Sequence, residues 1–214
     1  MNYNIISSGS RGNAVIIEDI ILIDCGVSYS KLSNYTDKFK IVLLTHIHSD
    51  HFNFRTIKKL ATSRPTLRFA CCEWLVSDLI KAGISKKNID LLSFGKLFDY
   101  TLFKVSPVKL YHDVPNCGYR VFINNKKMLY ATDTYTLAGI EAKGYDLYLL
   151  EANYDEKTIQ EKIKEKQINN EYIYEYRVIN THLSEQQAYD WLCNNVNNNS
   201  EYVYMHQHED SETI

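Results

Sequence analysis

Proline and glycine are both scarce in this chain, three and eight residues of 214. That scarcity excludes a long flexible linker and a low-complexity or collagen-like segment. Cysteine is limited to Cys25, Cys71, Cys72, Cys117 and Cys193, an odd number with no paired CxxC spacing. A disulfide framework is therefore not expected, and a reducing compartment is the natural setting. No apolar run approaches the length of a bilayer span. The opening stretch from Met1 to Ser8 has no basic region and no long apolar core, so no secretory signal is read there. A cytoplasmic location is the expectation. An excess of one charge is lacking too, since 24 basic residues face 26 acidic ones for a net charge of −2. Tight nonspecific binding to long nucleic acid needs a basic face, and the overall balance offers none.

What is present is ordinary globular material, 45% hydrophobic and 23% charged. A chain of this length fits one large domain, residues 1–214, better than two small ones. Asn13 to Glu18 and Ile20 to Asp24 read as a β-hairpin turning at Glu18-Asp19. The Gly9-Ser10-Arg11-Gly12-Asn13 loop before it lacks the Lys-Ser/Thr ending of a phosphate-binding loop. A strand over Ile41 to Leu44, a helix over Phe54 to Thr62, a strand over Leu67 to Ala70 and a helix over Cys72 to Ala82 follow. Strands are expected over Leu97 to Tyr111, Tyr119 to Asn124 and Lys127 to Ala131, the last pair turning at Asn124-Asn125. Tyr145 to Leu150 is a further strand and Asp155 to Ile168 a helix. Tyr172, Tyr174 and Tyr176 alternate as on a strand that packs one face, although alternating tyrosines can also stack a base. Ser184 and Gln187 carry a capping-box signature with Leu183 stapling onto Ala188, and that helix runs to about Asn195. Glu201 to Met205 is the final strand. Strands thus alternate with helices in an α/β layered pattern.

One segment stands apart. Thr45-His46-Ile47-His48-Ser49-Asp50-His51 places three histidines and an aspartate directly after the apolar run Ile41 to Leu44. Imidazole nitrogens and carboxylate oxygens are preferred ligands of Zn²⁺ and similar ions. Further candidates end other strands: His112 after Tyr111, Asp133 after Ala131 and Thr132, and His206 after Met205. On an extended segment His46 and His48 can face one ion, with His112 completing it. Asp50 and His51, on the turning part of the loop, aim at a second ion, joined by His206. Asp133 can bridge both with its two oxygens. His208, two positions on, is the alternative to His206, which is preferred as the first residue past the strand. A two-metal site needs ions roughly 3.5–4 Å apart and takes a bridging hydroxide as its nucleophile.

His46-x-His48-x-Asp50-His51, with His112, Asp133 and a late histidine, resembles the metallo-β-lactamase superfamily over nearly the whole chain. That resemblance implies an αββα four-layer sandwich with the metals at one edge. It also implies that Asp24, in Leu22-Ile23-Asp24-Cys25-Gly26, orients the histidine loop. Leu149-Leu150-Glu151-Ala152 and Thr181-His182-Leu183-Ser184-Glu185-Gln186-Gln187-Ala188 are similar to two motifs of its tRNase Z branch. Carried over by position, His182 becomes the general acid and Glu151 the residue that holds its ring. Ser7-Ser8-Gly9-Ser10-x-Gly12-Asn13 and His112-Asp113-x-Pro115-x-Cys117-Gly118-Tyr119 are similar to the YycJ/WalJ-type group of exonuclease-like relatives. Phage-encoded anti-Pycsar phosphodiesterases, which cleave cyclic mononucleotides, belong to the same neighbourhood. Dimers are common among such relatives, so a homodimer is the assembly implied.

The expected function is a two-metal phosphodiesterase acting on a cyclic nucleotide, a short oligonucleotide or a nucleic-acid end. Zn²⁺ is the expected ion and Mn²⁺ the alternative. No long basic, glycine-rich insertion of the kind that grips tRNA is present, which argues against tRNA processing. Arg177 is a candidate to hold a phosphate. The same metals suit a lactam, lactone or thioester hydrolase, but Glu151 and His182 favour the phosphodiester because alkoxide expulsion benefits from an acid. A non-catalytic, metal-stabilised binding module is the reading from another class. Structural zinc sites are closed four-ligand arrangements, and seven candidate ligands fit that poorly.

Overall fold

The computed structural model describes residues 1–207. The first of two six-stranded sheets contains β1 (Tyr3–Ser7), β2 (Ala14–Ile17), β3 (Ile21–Ile23), β4 (Ile41–Leu43), β5 (Arg68–Cys71) and β6 (Ile89–Leu91), side by side in that order. The second contains β7 (Phe98–Asp99), β8 (Phe103–Tyr111), β9 (Pro115–Ile123), β10 (Lys126–Ala131), β11 (Leu147–Glu151) and β12 (Glu201–Met205). Short helices α1 (Tyr29–Leu32), α2 (Phe54–Ser63) and α3 (Val76–Lys81) connect strands of the first sheet. α4 (Glu156–Ile168), α5 (Glu175–Thr181) and α6 (Glu185–Cys193) fill the connection from β11 to β12.

Alternation along each strand explains the layering. Val15, Ile17, Ile21, Ile23, Ile41 and Leu43 point inward and meet Val105, Tyr119, Met128, Tyr130, Leu147 and Leu149 of the other sheet. Their neighbours Ile16, Leu22, Val42 and Leu44 point outward and pack under Leu32, Ile57, Leu60 and Leu79 of α1 to α3. On the far side Leu129, Ala131, Tyr148 and Leu150 pack under Ala188 and Leu192 of α6. Strands buried on both faces must read as continuous apolar runs, which is why these segments lack polar alternation. The result is helix, sheet, sheet, helix: the αββα sandwich expected.

Strand direction places the site. β3 and β4 are parallel, and so are β10, β11 and β12. β8 and β10 both run antiparallel to β9, so β8 points the same way as β10. Chemistry-bearing residues therefore leave the carboxyl ends of β4, β8, β10, β11 and β12 at one edge.

Both hairpin turns form where expected, with Glu18 and Asp19 at φ 48° and 61° and Asn124 and Asn125 at 52° and 59°. Two successive left-handed residues define the turn whose twist matches flanking strands. The α6 capping box is present in full: Ser184 accepts from the Gln187 N–H while the Gln187 side chain accepts from the Ser184 N–H. Other expectations fail. The strand expected from Leu97 breaks into β7 and β8 around Thr101, whose φ is 69°. β9 starts at Pro115 instead of Tyr119; proline is tolerated as the first residue of a strand. The tyrosine-rich stretch is not a strand. Glu175 to Thr181 is α5, because Glu175, Val178 and Thr181 recur at helical spacing on its inner face, whereas Tyr172 lies outside it and is 84% exposed. Among the described residues no helix is long and apolar enough to cross a membrane.

Candidate metal centre

His46, His51, Asp133 and His206 are buried, with His48, Asp50 and His112 partly so. The fold brings all seven expected residues together. His46, His48 and His112 form one group able to hold an ion, and Asp50, His51 and His206 another. Asp133 lies between them: Oδ1 is 3.8 Å from His112 Nε2 and 3.6 Å from His206 Nε2, and Oδ2 is 3.0 Å from His51 Nε2. Asp50 Oδ2 is 3.6 Å from both His51 Nε2 and His206 Nε2. His208 lies outside the described residues.

The hydrogen bonds behind this cluster set each ring. His51 Nδ1 donates to Asp24 Oδ2 at 2.7 Å, and His112 Nδ1 donates to the Thr181 carbonyl at 2.9 Å. A carbonyl or carboxylate only accepts, so Nε2 of each neutral ring is left as a lone pair aimed inward. His46 Nδ1 is 3.0 Å from Thr45 Oγ1. Nε2 of His46, Nε2 of His206 and Oδ2 of Asp133 are buried with no hydrogen-bond partner. Buried polar atoms are normally satisfied. Convergent, unpartnered nitrogen and carboxylate donors are what divalent cations bind, so the residues present fit two such ions.

The electrostatics agree. Burial and the neighbouring imidazole of His51 hold His46 well below its ordinary pKa. Burial opposes a charge on His206, but Asp133, Asp50 and Glu151 outweigh it and push its pKa up to about 10. Burial likewise opposes the Asp133 carboxylate, yet His51, His206 and His46 hold its pKa well below the carboxylate range. Such a knot of coupled charges is met by cations entering as protons leave.

Backbone strain sits at the same edge. Asp24, Asp133 and His206 have φ of 60°, 58° and 53°. Left-handed backbone costs about 1–2 kcal/mol per non-glycine residue and is concentrated at functional sites. Each of the three follows the end of a strand, where the turn aims its side chain into the cluster.

His182 and Glu151 are brought to the same cleft. His182 Nδ1 is 2.5 Å from Glu151 Oε1, and its ring centroid lies 5.1 Å from that of His112 and 5.2 Å from that of His206. Glu151 Oε2 accepts from the backbone N–H of Thr134, at 2.7 Å, and of Leu183. The carboxylate thus ties the loop carrying Asp133 to the one carrying His182. A cavity of about 290 Å³ opens here, lined by His48, Asp50, Asp133, His182, Tyr174 and Arg177 among others. Sequence reasoning missed four supporting residues. Asn13 Nδ2 lies 2.8 Å from His51 Nε2, Asn153 Nδ2 donates to the His206 carbonyl at 2.7 Å, and the Tyr130 hydroxyl donates to Asp24 at 3.1 Å. Asp113 is the fourth, beside His48 and His112. Its place next to His112, within the motif His112-Asp113-x-Pro115-x-Cys117-Gly118-Tyr119, signalled it without giving it a role.

A family model described as the beta-lactamase superfamily domain matches residues 20–206. The chain therefore belongs to the metallo-β-lactamase superfamily, whose members are mostly metal-dependent hydrolases. No curated protein matches it in sequence. The metallo-beta-lactamase fold protein YhfI from Bacillus subtilis is 18% identical at a TM-score of 0.72, covering 96% of this chain and 85% of that one. Human tRNase Z, short form (ELAC1), is 17% identical at a TM-score of 0.69, covering 97% and 93%. A diphosphatase from the PhnP family is 14% identical at a TM-score of 0.67, covering 96% and 85%. At these identities the likeness is one of fold.

Proposed function

We propose that the protein is a two-metal phosphodiesterase cleaving a nucleotide phosphodiester, whether in a cyclic nucleotide, a short oligonucleotide or at a nucleic-acid end. The observation that carries this reading is the His182–Glu151 pair, 2.5 Å apart, with His182 lining the metal cleft and Glu151 buried behind it. His46, His48 and His112 would hold one ion and Asp50, His51 and His206 the other, with Asp133 serving both. Zn²⁺ is the ion favoured by this donor set, with Mn²⁺ second. Such ions, when bound, supply Lewis acidity and a nucleophile from water near neutral pH.

The chain's own residues do the rest. Glu151, anchored by two backbone N–H groups, fixes the His182 ring through Nδ1 and leaves Nε2 for the cleft. A proton held at Nε2 is delivered to the leaving oxygen, which otherwise departs as a poor alkoxide. A carbonyl hydrolase on the same metals has less need of that acid, which is why the phosphodiester is preferred to a lactam, lactone or thioester. The names tRNase Z and diphosphatase among the similar structures lend support. Tyr174 and Arg177 line the cleft and are placed to meet substrate.

His182→Ala tests the reading. Turnover of a phosphodiester with an alkyl leaving group is expected to fall about 10²-fold or more with metal content near wild type, and that of bis(p-nitrophenyl) phosphate, whose leaving group departs without a proton, by much less. Undiminished turnover would remove His182 from the mechanism, and wild-type preference for lactones or thioesters in a side-by-side assay would overturn the substrate class.

A further inference from the structure

Asp113 Oδ1 lies 3.2 Å from Nε2 of His48 and 3.2 Å from Nε2 of His112. Both nitrogens belong to the His46–His48–His112 group. Donor atoms sharing one tetrahedral Zn²⁺ at about 2.0–2.2 Å stand about 3.3 Å from each other. Equal spacing of 3.2 Å to two imidazoles is therefore that of another donor on the same ion. The polarity of the contact agrees. His112 Nδ1 donates to the Thr181 carbonyl, so Nε2 of the neutral ring presents a lone pair to the carboxylate oxygen. Two acceptors face each other favourably only with a proton or a metal ion between them, and at this spacing a metal ion serves both imidazoles at once.

The second oxygen of Asp113 is accounted for separately. Oδ2 accepts from Arg177 Nη2 at 2.6 Å. Arg177 stands on α5, the helix whose Thr181 carbonyl also fixes His112. The Asp113 side chain is 25% exposed and that of Arg177 72% exposed, so packing alone does not hold either in place. A solvent-facing ion pair of this kind adds little to stability. Its effect is to turn Oδ1 of Asp113 toward the two imidazoles.

Resting on the two-metal reading above, we infer that Asp113 is a further carboxylate donor to the ion at His46, His48 and His112, and that Arg177 is its positioning residue. The two metal positions would then differ in kind. One would draw on His46, His48, His112 and Asp113, the other on Asp50, His51 and His206, with Asp133 serving both.

The test uses metal-stripped protein reloaded with two equivalents of Co²⁺, read by visible absorption and by competition against a chromophoric chelator. Asp113→Ala is expected to weaken one of the two ions by about 10–100-fold. It should also change the intensity of the Co²⁺ bands, because the donor number at that ion falls. Arg177→Ala should shift both readouts in the same direction by less, and Arg177→Lys should recover part of the change. Circular dichroism and melting of the metal-free variants establish that they fold. Wild-type spectrum and affinity in folded Asp113→Ala overturn the inference while leaving the metal centre intact. Wild-type protein that takes up no ion overturns both the inference and the reading on which it rests.

Discussion

Asp24 and His51 are separated by 27 positions in sequence and by 2.7 Å in space, Oδ2 to Nδ1, with both side chains fully buried. The same carboxylate also accepts from the Thr45 backbone N–H at 3.0 Å, from its hydroxyl at 2.9 Å, and from the Tyr130 hydroxyl at 3.1 Å. One side chain at the end of β3 thereby holds the start of the histidine loop, its last histidine and the opposite sheet. A carboxylate behind a metal-binding imidazole fixes the tautomer and strengthens the donor.

Asp24→Asn should therefore act on metal rather than on substrate. The amide keeps one oxygen but turns an N–H group toward donors that have lost their acceptor. Metal affinity is expected to fall about 10–100-fold, and stability by about 1–3 kcal/mol. Chelator competition and thermal melting measure the two. Wild-type affinity in this variant would show that His51 needs no partner at Nδ1.

Gly26 offers a second, purely steric test. A Cβ built there would lie 1.6 Å from the Asp50 carbonyl oxygen, whereas one at Gly139 would meet nothing within 4 Å. That Asp50 carbonyl accepts from the Asn13 backbone N–H at 2.6 Å, so the histidine loop cannot simply retreat. Gly26→Ala is expected to displace the loop, with loss of bound metal and a large fall in melting temperature or soluble yield. Gly139→Ala, where φ is 79°, should cost only about 1–2 kcal/mol of backbone strain. Equal, mild effects of the two substitutions would contradict the close approach.

Much of this was legible in the chain because the signals are local. The histidine loop follows an apolar strand, the Glu18-Asp19 and Asn124-Asn125 turns sit between strand-like runs, and Ser184 with Gln187 spells out a helix start. What escaped depends on contacts that sequence spacing does not encode. Asp113 is an ordinary loop aspartate until β8 and α5 bring it beside His48 and Arg177. Asn13 and Asn153 are plain polar residues until the fold places Asn13 against the inward-facing Nε2 of His51 and Asn153 behind His206. The three alternating tyrosines misled because a period of two over five residues is too short to outweigh the helical spacing of Glu175, Val178 and Thr181.

Glu151→Gln separates an acid-supporting role from a structural one. The backbone N–H groups of Thr134 and Leu183 both require an acceptor at the Oε2 position, so the new amide oxygen is held there. Its NH₂ group must then face His182 Nδ1, where the carboxylate stood 2.5 Å away. A donor opposite Nδ1 forces the ring's hydrogen onto Nε2 and disfavours a second proton, so the ring can no longer act as an imidazolium acid. Glu151 Oε1 also lies 3.5 Å from Nδ1 of His206, so a modest loss of metal at that ligand is expected and metal content is measured alongside. Turnover should fall about 10²–10⁴-fold with an alkyl leaving group. The loss should be much smaller with p-nitrophenolate, which departs without a proton. Paired assays of an alkyl and a nitrophenyl phosphodiester measure that ratio, and an equal loss on both would assign Glu151 to holding the loops together instead of to the chemistry.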